Sequence, residues 1–152
     1  VEILENTDVI DTNNVIVNSI LNAKYHEARS RNIIFEMKIN DLSNLRVRDE
    51  DIVLILTNLL NNAIEACEKS DRKLIRLKLV KEEQQTVISV YNTMKVPPVV
   101  ESGRYITGKT EEAQRHGLGI ENIKETVAGY GGSCAIRYDD ESFRFGIVIP
   151  NK

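Results

Sequence analysis

Residues 51–69 constrain this chain more than any other segment, because they predict an amphipathic helix with amides on its polar side. Side chains turn by about 100° per residue in a helix, so Asn58, Asn62 and Glu65 fall within about 60° of one another. Asparagine costs a helix about 0.6 kcal/mol relative to alanine, so its recurrence in mid-helix indicates a function. The apolar residues expected to face the core are Val53, Ile55, Leu56, Leu59, Leu60, Ala63 and Cys67.

A side-chain amide suits a metal-bound phosphate, because its oxygen can ligate Mg²⁺ and its NH₂ can donate to phosphate oxygens. We therefore interpret the stripe formed by Asn58, Asn62 and Glu65, the amide stripe, as a candidate binding surface. The alternative interpretation is a solvated helix face that happens to be rich in asparagine.

A glycine-rich segment, Gly117-Leu118-Gly119, stands before a second helical pattern that continues to Tyr130. We expect the helix to begin at Gly117. Glycines at the start of a helix let a phosphate approach bare backbone N–H groups and the positive end of the helix dipole.

The residues between Asn92 and Gly117 show no convincing apolar period, and they follow a predicted strand over residues 86–92. A loop longer than about 12–15 residues inside a compact domain is usually functional or disordered. The two interpretations are therefore a functional loop and a flexible insertion.

The order of these features resembles the GHKL ATPase superfamily: an amide-lined helix, a strand ending in Asn92, a long loop and a glycine-opened helix. Within it, residues 14–150 are similar to the catalytic, ATP-binding domain of sensor histidine kinases. The likeness is greatest to the subgroup that senses peptide pheromones and dicarboxylates. The resemblance implies ATP and Mg²⁺ as cofactors, a Bergerat-type fold, and an ATP lid at about residues 94–117.

The resemblance also implies roles for three asparagines. Asn62 matches the magnesium ligand, and Asn58 would contact phosphate as a catalytic residue. In hydrolysing relatives such as DNA gyrase, a glutamate at the position of Asn58 activates water. An amide takes no proton at neutral pH, so Asn58 favours phosphoryl transfer to a protein over hydrolysis. Asn92 replaces the aspartate that usually accepts the adenine amino proton, and the glycines expected after it are absent.

Further nucleotide contacts are implied in the lid and in the glycine-opened helix. The glycine segment would offer backbone N–H groups to the phosphates, with an asparagine in the first turn of the same helix. A lysine would reach a phosphate from the lid, and a histidine at its hinge would contact phosphate or clamp the lid. These residues are Lys109, His116, Gly117, Leu118, Gly119 and Asn122.

Composition is typical of one domain over residues 1–152, with 41% hydrophobic and 28% charged residues. The net charge of −3 points to no nucleic acid and no direct membrane contact. Cys67 and Cys134 are far apart among apolar neighbours, and we expect reduced core residues. Because the chain begins at Val1 without a signal sequence, we expect a piece of a longer protein.

The predicted elements give an α/β fold, a two-layer α/β sandwich with a mixed sheet and about three helices on one face. The first helix is predicted over residues 14–30. The strands are predicted over residues 33–39, 74–81, 86–92, 133–138 and 142–149.

Two motifs compete with this interpretation. Residues 103–110, GRYITGKT, match the phosphate-loop pattern, but the prolines upstream make a poor core strand and fewer than two helical turns follow. His26, followed by glutamate and two residues later by arginine, resembles a phosphoacceptor motif. Such histidines lie on a long helical hairpin, so a surface histidine is the favoured interpretation.

The expected activity is that of a protein-histidine kinase, transferring the γ-phosphoryl of ATP to a histidine on a dimerisation domain outside this chain. The fragment alone is then expected not to autophosphorylate. A response regulator would act downstream, and the domain would be cytoplasmic, in a membrane-anchored sensor. The alternatives are an anti-sigma-factor type of serine kinase and a nucleotide-sensing module without phosphotransfer.

Overall fold

The computed structural model describes the backbone of residues 2–3, 10–95, 99–101, 104–106 and 111–152, and the side chains of residues 10–95 and 119–152. The predicted helices and strands are present, and three short strands that the sequence pattern did not predict are added. The elements are β1 (Glu2–Ile3), α1 (Val15–Ser30), β2 (Ile34–Ile39), α2 (Asp49–Glu68), β3 (Leu74–Lys81), β4 (Gln85–Thr93), β5 (Val99–Glu101), β6 (Arg104–Ile106), α3 (Glu111–Gly129), β7 (Ser133–Tyr138) and β8 (Ser142–Pro150).

The main sheet has the strand order β1-β2-β3-β4-β8-β7. Strands β2 and β3 are parallel, and every other neighbouring pair is antiparallel, so the sheet is mixed. The three helices and alternate residues of the strands share one hydrophobic core. Several of the residues between them on the strands, such as Lys38 and Arg76, are exposed. The helices therefore cover one face of the sheet, which confirms the predicted two-layer α/β sandwich.

Local signals explain where the first two helices begin. The side chain of Asn14 caps α1 by accepting a hydrogen bond of 3.1 Å from the Val17 N–H. Three acidic residues in the first turn of α2, Asp49, Glu50 and Asp51, complement its dipole.

Helix α2 buries most of the side predicted to face the core, with one exception. Val53 was expected there but is 40% exposed, whereas Ile52 and Ile64 are almost completely buried. Periodicity gives the direction in which a side chain points along a helix, but not whether a neighbouring element covers it.

Helix α3 begins six residues before Gly117, at Glu111, so the prediction that the glycine segment opens the helix was wrong. The residues from Glu111 to Arg115 are all good helix formers, and together they outweigh a cost of about 1 kcal/mol for each glycine inside the helix. Gly117 and Gly119 thus lie within the helix. Asn122 lies in its fourth turn, not in the first.

The expected lid also contains regular structure. Strands β5 and β6 form a separate antiparallel ribbon, in which Val99 pairs with Ile106 and Glu101 with Arg104, and β6 lies against α3. β-Branched and aromatic residue types in these strands favour extended backbone even over three residues. The interpretation of residues 93–116 as irregular loop was therefore wrong in part, since the segment includes this ribbon and the start of α3.

Two smaller expectations can be compared with the described part of the chain. Both cysteines are free; Cys67 is buried and Cys134 is half-buried, as expected of reduced core residues. Burial raises the pKa of both thiols, which keeps them protonated. Among the described helices, not one has the length and apolar character needed to cross a bilayer.

Two consecutive glycines connect α3 to β7. Gly131 has a φ of +74° and ends the helix in the left-handed conformation. Its N–H donates to the Ala128 carbonyl at 2.9 Å, and the Gly132 N–H donates to the Val127 carbonyl at 3.0 Å, which is the Schellman pattern. A Cβ on Gly132 would lie 2.6 Å from the Val148 carbonyl oxygen, so the helix end can lie against β8 only with glycine here.

We expect Gly132→Ala to lower the free energy of unfolding by about 1–3 kcal/mol, because the new methyl group would push the end of α3 away from the backbone of β8. The matched control is Gly129→Ala, three residues earlier, where a Cβ would meet nothing within 4 Å. That variant should be neutral or up to about 1 kcal/mol more stable, since alanine favours a helix. Urea unfolding measures both, and equal effects of the two substitutions would contradict the proposed close packing.

Candidate active site

The amide stripe lies on the side of α2 that the core leaves uncovered. Asn58, Asn62 and Glu65 are half-buried, whereas Leu59 and Ala63, on the other side of the same turns, are buried. Half-burial means that neighbouring elements flank the stripe without filling the space above it. Because α2 is helical over residues 49–68, the three side chains lie on one side of it, as predicted.

Helix α3 contacts this stripe through Gly119. A Cβ on this buried glycine would lie 3.3 Å from Oδ1 of Asn58 and 3.5 Å from its Cγ. The backbone of α3 therefore packs directly against the Asn58 amide. Any side chain at residue 119 would crowd this contact. The structure thus brings together two residues that the sequence assigned to one site from opposite halves of the chain.

Asn92 lies on the neighbouring part of the sheet, with its side chain on the helical face. It pairs in register with Ile75 on β3, a core residue, and with Phe143 on β8, and α2 packs against β4. Only 3% of its surface is exposed. Its Nδ2 donates a hydrogen bond of 3.0 Å to the Thr93 carbonyl, which fixes the orientation of the amide.

The residue after Asn92 supports this position, a role that the sequence did not suggest. The buried Thr93 hydroxyl accepts a hydrogen bond of 3.1 Å from the Leu74 N–H and lies 3.2 Å from the Cys67 sulfur. Thr93 thereby connects the end of β4 to β3 and to the last turn of α2. A threonine at the end of a predicted strand carries no signal that would have identified these partners.

Of the other predicted nucleotide contacts outside Gly119, the structure describes the side chain of Asn122. Asn122 is exposed, in the fourth turn of α3. His116, Gly117 and Leu118 belong to the same helix, but their side chains lie outside the described residues, as does all of Lys109.

The donor atoms of the stripe fit a magnesium ion that is held together with phosphates. Asn62 offers an amide oxygen, a hard oxygen ligand of the kind Mg²⁺ prefers. In the described part of the chain, no group of three or more His, Cys, Asp or Glu could hold a metal by itself. Magnesium at the stripe would therefore take its remaining ligands from a nucleotide and water.

The two competing motifs do not form the structures that their functions need. Residues 104–106, inside the phosphate-loop pattern, form strand β6 of the separate ribbon, where a phosphate loop requires a turn around the anion. His26 is exposed on α1, a single 16-residue helix that leads into β2 without a helical hairpin. Both observations agree with the interpretations favoured by the sequence.

A cleft of about 640 Å³ lies elsewhere, between the start of α2 and the end of α3. Its polar groups bind one another: the Tyr130 hydroxyl donates to the Asp51 carboxylate and accepts from the Arg48 N–H at 3.0 Å. Arg46 donates to the Tyr130 carbonyl at 2.7 Å and to the Pro150 carbonyl at 3.0 Å. This cleft is a joint between α2, α3 and β8, and it contains no predicted site residue. It is lined by Arg46, Arg48, Asp51, Glu125, Thr126, Gly129 and Tyr130.

Solved structures with the same fold include catalytic domains of histidine kinases. The nucleotide-free catalytic domain of histidine kinase ThkA superposes with a TM-score of 0.70 at 23% identity, covering 93% of this chain and 93% of that chain. Histidine kinase AdeS of Acinetobacter baumannii gives a TM-score of 0.65 at 14% identity, covering 91% of this chain and 64% of that one. Histidine kinase ThkA in complex with the response regulator protein TrrA gives 0.64 at 22% identity, covering 91% and 40%. At these identities the likeness establishes the fold alone.

The family comparison goes further than the fold. No curated protein sequence matches the chain. The sequence model described as the GHKL domain matches residues 47–150, which is more than half of the chain and includes α2, β4 and α3. With the amide stripe, Gly119 and Asn92 inside the matched region, this protein belongs to the GHKL family.

Proposed function

We propose that this chain is the ATP-binding catalytic domain of a two-component sensor histidine kinase. It would transfer the γ-phosphoryl group of ATP to a histidine on a dimerisation domain outside the chain. The observation that carries the proposal is the contact between Gly119 and the Asn58 amide, 3.3 Å from a Cβ position to Oδ1, with Asn62 on the same side of α2.

The three asparagines would have separate tasks. Asn62 and the phosphates would hold magnesium, which when bound neutralises phosphate charge. Asn58 would donate its NH₂ to a phosphate oxygen and orient the chain of phosphates between α2 and α3. Asn92, buried on β4, would mark the adenine end of the site. These roles follow the residues' positions and the family resemblance.

The chemistry at Asn58 favours transfer over hydrolysis. A water molecule attacks a phosphoryl group efficiently only when a positioned base accepts its proton, and an amide has no such capacity at neutral pH. A histidine side chain from another domain is itself a nucleophile, so the transfer needs positioning and charge stabilisation more than it needs a base. A kinase that acts on a separate domain therefore fits this site.

The partners proposed are a phosphoacceptor dimerisation domain of the same protein and a response regulator. The fold shared with ThkA, which is known in complex with the response regulator TrrA, supports the second. The parent protein is proposed to be a membrane-anchored sensor with this domain in the cytoplasm, and its subgroup to be the one that senses peptide pheromones and dicarboxylates.

A second candidate is a nucleotide-sensing module without phosphotransfer. It is favoured by the segment Asn92-Thr93-Met94-Lys95, where an aspartate and following glycines are replaced. An uncharged acceptor binds the adenine amino group more weakly, by about 1 kcal/mol, than a charged one.

Asn62→Ala should weaken magnesium-dependent ATP binding by at least about tenfold, or 1.4 kcal/mol, because the variant lacks the proposed ligand. Its free energy of unfolding should change by less than about 0.5 kcal/mol, since the half-buried side chain faces away from the core. Isothermal titration calorimetry with and without Mg²⁺ measures the first quantity.

The matched control is the adjacent Asn61→Ala. The Asn61 Oδ1 accepts a hydrogen bond of 2.5 Å from Lys24 on α1, so this variant should lose stability and keep its ATP affinity. Parental ATP affinity in Asn62→Ala, or equal losses in both variants, would show that Asn62 is not the ligand.

Asn92→Asp tests the buried amide in a pH-dependent way. A carboxylate at this site would replace the donor to the Thr93 carbonyl and would be almost completely buried, so burial and the facing carbonyl should raise the pKa of the new group. A raised pKa means that the folded state holds its proton longer than the unfolded state does. The variant should therefore lose stability relative to the parent as pH rises above the ordinary aspartate pKa, about 3.9.

Urea unfolding at pH 4.5 and pH 8 gives this measurement, with the greater loss expected at pH 8. A constant difference between variant and parent would mean that the amide is not needed as a donor. In the parent, ATP should bind better than GTP, because the 6-oxo group of guanine presents an acceptor where adenine presents a donor. Equal affinity for the two nucleotides would exclude the adenine site at Asn92.

Phosphotransfer distinguishes the kinase from its alternatives. With γ-³²P-ATP, this chain alone should remain unlabelled, while a cognate dimerisation domain supplied in trans should gain acid-labile label, because phosphohistidine hydrolyses in acid. Acid-stable label on a partner would favour a serine kinase, and ATP binding without any label would favour the nucleotide-sensing module. Acid-labile label on this chain that disappears in His26→Gln would assign the acceptor to His26 instead.

A further inference from the structure

The face of the sheet that carries no helices has a concentrated positive charge. Strand register places Glu36 beside Arg76, Arg76 beside Tyr91, Tyr91 beside Arg144 and Arg144 beside Arg137, in one row across five strands. Lys38 and Lys78 form the next row. We call this surface the basic face; it consists of Lys38, Arg76, Lys78, Tyr91, Arg137 and Arg144. Its five cations face one acidic neighbour in the row, Glu36, although the whole chain has a net charge of −3.

This face contains two pairs of like-charged residues, and the two members of each pair lie directly opposite each other on neighbouring strands. Lys38 pairs with Lys78 between β2 and β3, and Arg137 pairs with Arg144 between β7 and β8. Such cross-strand pairs are destabilising. Within the part of the chain whose side chains are described, none of these four residues has an ion pair, and Asp139 uses its carboxylate in the β7–β8 turn. The fold therefore maintains this charge against its own stability.

Tyr91 orders the centre of the face. The guanidinium carbons of Arg76 and Arg144 lie 5.8 Å and 5.4 Å from the centroid of its ring, one on each neighbouring strand. Cation–π contacts hold both planar groups in place, and a contact with the ring leaves the N–H edge of Arg144 available. A preorganised guanidinium loses little entropy when it receives a carboxylate through two parallel hydrogen bonds.

The composition of the face favours a protein partner over a nucleic acid or a lipid surface. The Glu36 carboxylate already binds Arg76, at 2.8 Å from its Nε. The negative charge of Glu36 would repel the phosphates of a nucleic acid or of a lipid surface that lay along this row. Ile34, 58% exposed at the adjoining edge of β2, adds an apolar contact. Tyrosine and arginine beside apolar side chains are the residue types enriched in protein interfaces.

We propose that the basic face binds an acidic segment of a partner protein, with carboxylates received by Arg137 and Arg144 at one end and by Lys38 and Lys78 at the other. The bound carboxylates would relieve the repulsion within both like-charged pairs. The surface lies on the opposite side of the sheet from the amide stripe, so the inference does not depend on nucleotide binding.

The test compares two double variants that each remove two positive charges. Arg137→Gln/Arg144→Gln neutralises one end of the basic face, and Arg29→Gln/Lys69→Gln removes the same charge from exposed positions in the helical layer. The probe is a short fluorescein-labelled peptide of alternating glutamate and threonine, with fluorescence anisotropy at low ionic strength as the readout. The first variant should bind about fivefold more weakly or worse, and the second within about twofold of the parent. Both should keep the parental ATP affinity.

Equal weakening in the two variants, or no binding of the peptide by the parent, would overturn the proposal. Two further probes identify other partners: oligothymidylate, and vesicles of phosphatidylcholine and phosphatidylglycerol in equal parts. Tighter binding of either than of the peptide, lost in the first variant only, would assign the face to nucleic acid or to membrane and not to protein.

Stability gives a second, independent readout. Arg137→Gln should lower the equilibrium constant for unfolding by about two- to fivefold at low salt, because it removes one like-charged pair. The difference should shrink at high salt, which screens exposed charges. A destabilised Arg137→Gln would show that the arginine serves the fold, and the proposal would fail.

Discussion

Helix α2 must bury one side in the core while keeping the other side polar and accessible, and the remaining elements are arranged around this division. Strands β3 and β4 and helix α1 cover its apolar side. Helix α3 approaches the polar side at Asn58, and it does so through Gly119, which carries no side chain. A larger residue there would separate the helices or displace the Asn58 amide. The close contact of α3 with Asn58 therefore depends on glycine at residue 119.

Two contacts set the relation between α2 and α3. Gly119 meets Asn58 in the middle of α2, and Tyr130, just after α3, binds Asp51 in the first turn of α2. Residue numbers rise along α3 as they fall along α2, so the two segments run antiparallel. The joint at Tyr130 is further held by Arg46, whose guanidinium lies 5.5 Å from the tyrosine ring centroid. The position of α3 over the amide stripe is thus supported from a point more than one helical turn away.

The sequence predicted those parts of the fold that local pattern determines. Alternation gave the five long strands, and helical spacing gave α1, α2 and the common direction of Asn58 and Asn62. The sequence-based prediction failed at the start of α3, where two local signals compete. The glycines at residues 117 and 119 suggested that the helix begins there, but the helix-forming residues before them extend α3 to Glu111. The three-residue strands β5 and β6 are too short to show a period. The Asp51–Tyr130 bond depends on tertiary packing, which no local pattern encodes.

Strand β4 shows how one element serves two surfaces without conflict. Consecutive side chains on a strand point to opposite faces, so Asn92 faces the helices while Tyr91 faces the open side of the sheet. A change in the charge of the basic face therefore leaves the core and the candidate site unaltered, because it replaces no side chain on the helical face. A change at Asn92 does disturb the helical side, since this residue is buried and its amide donates to the Thr93 carbonyl. The charge of the open face can consequently change while the side of the sheet that carries the candidate site stays the same.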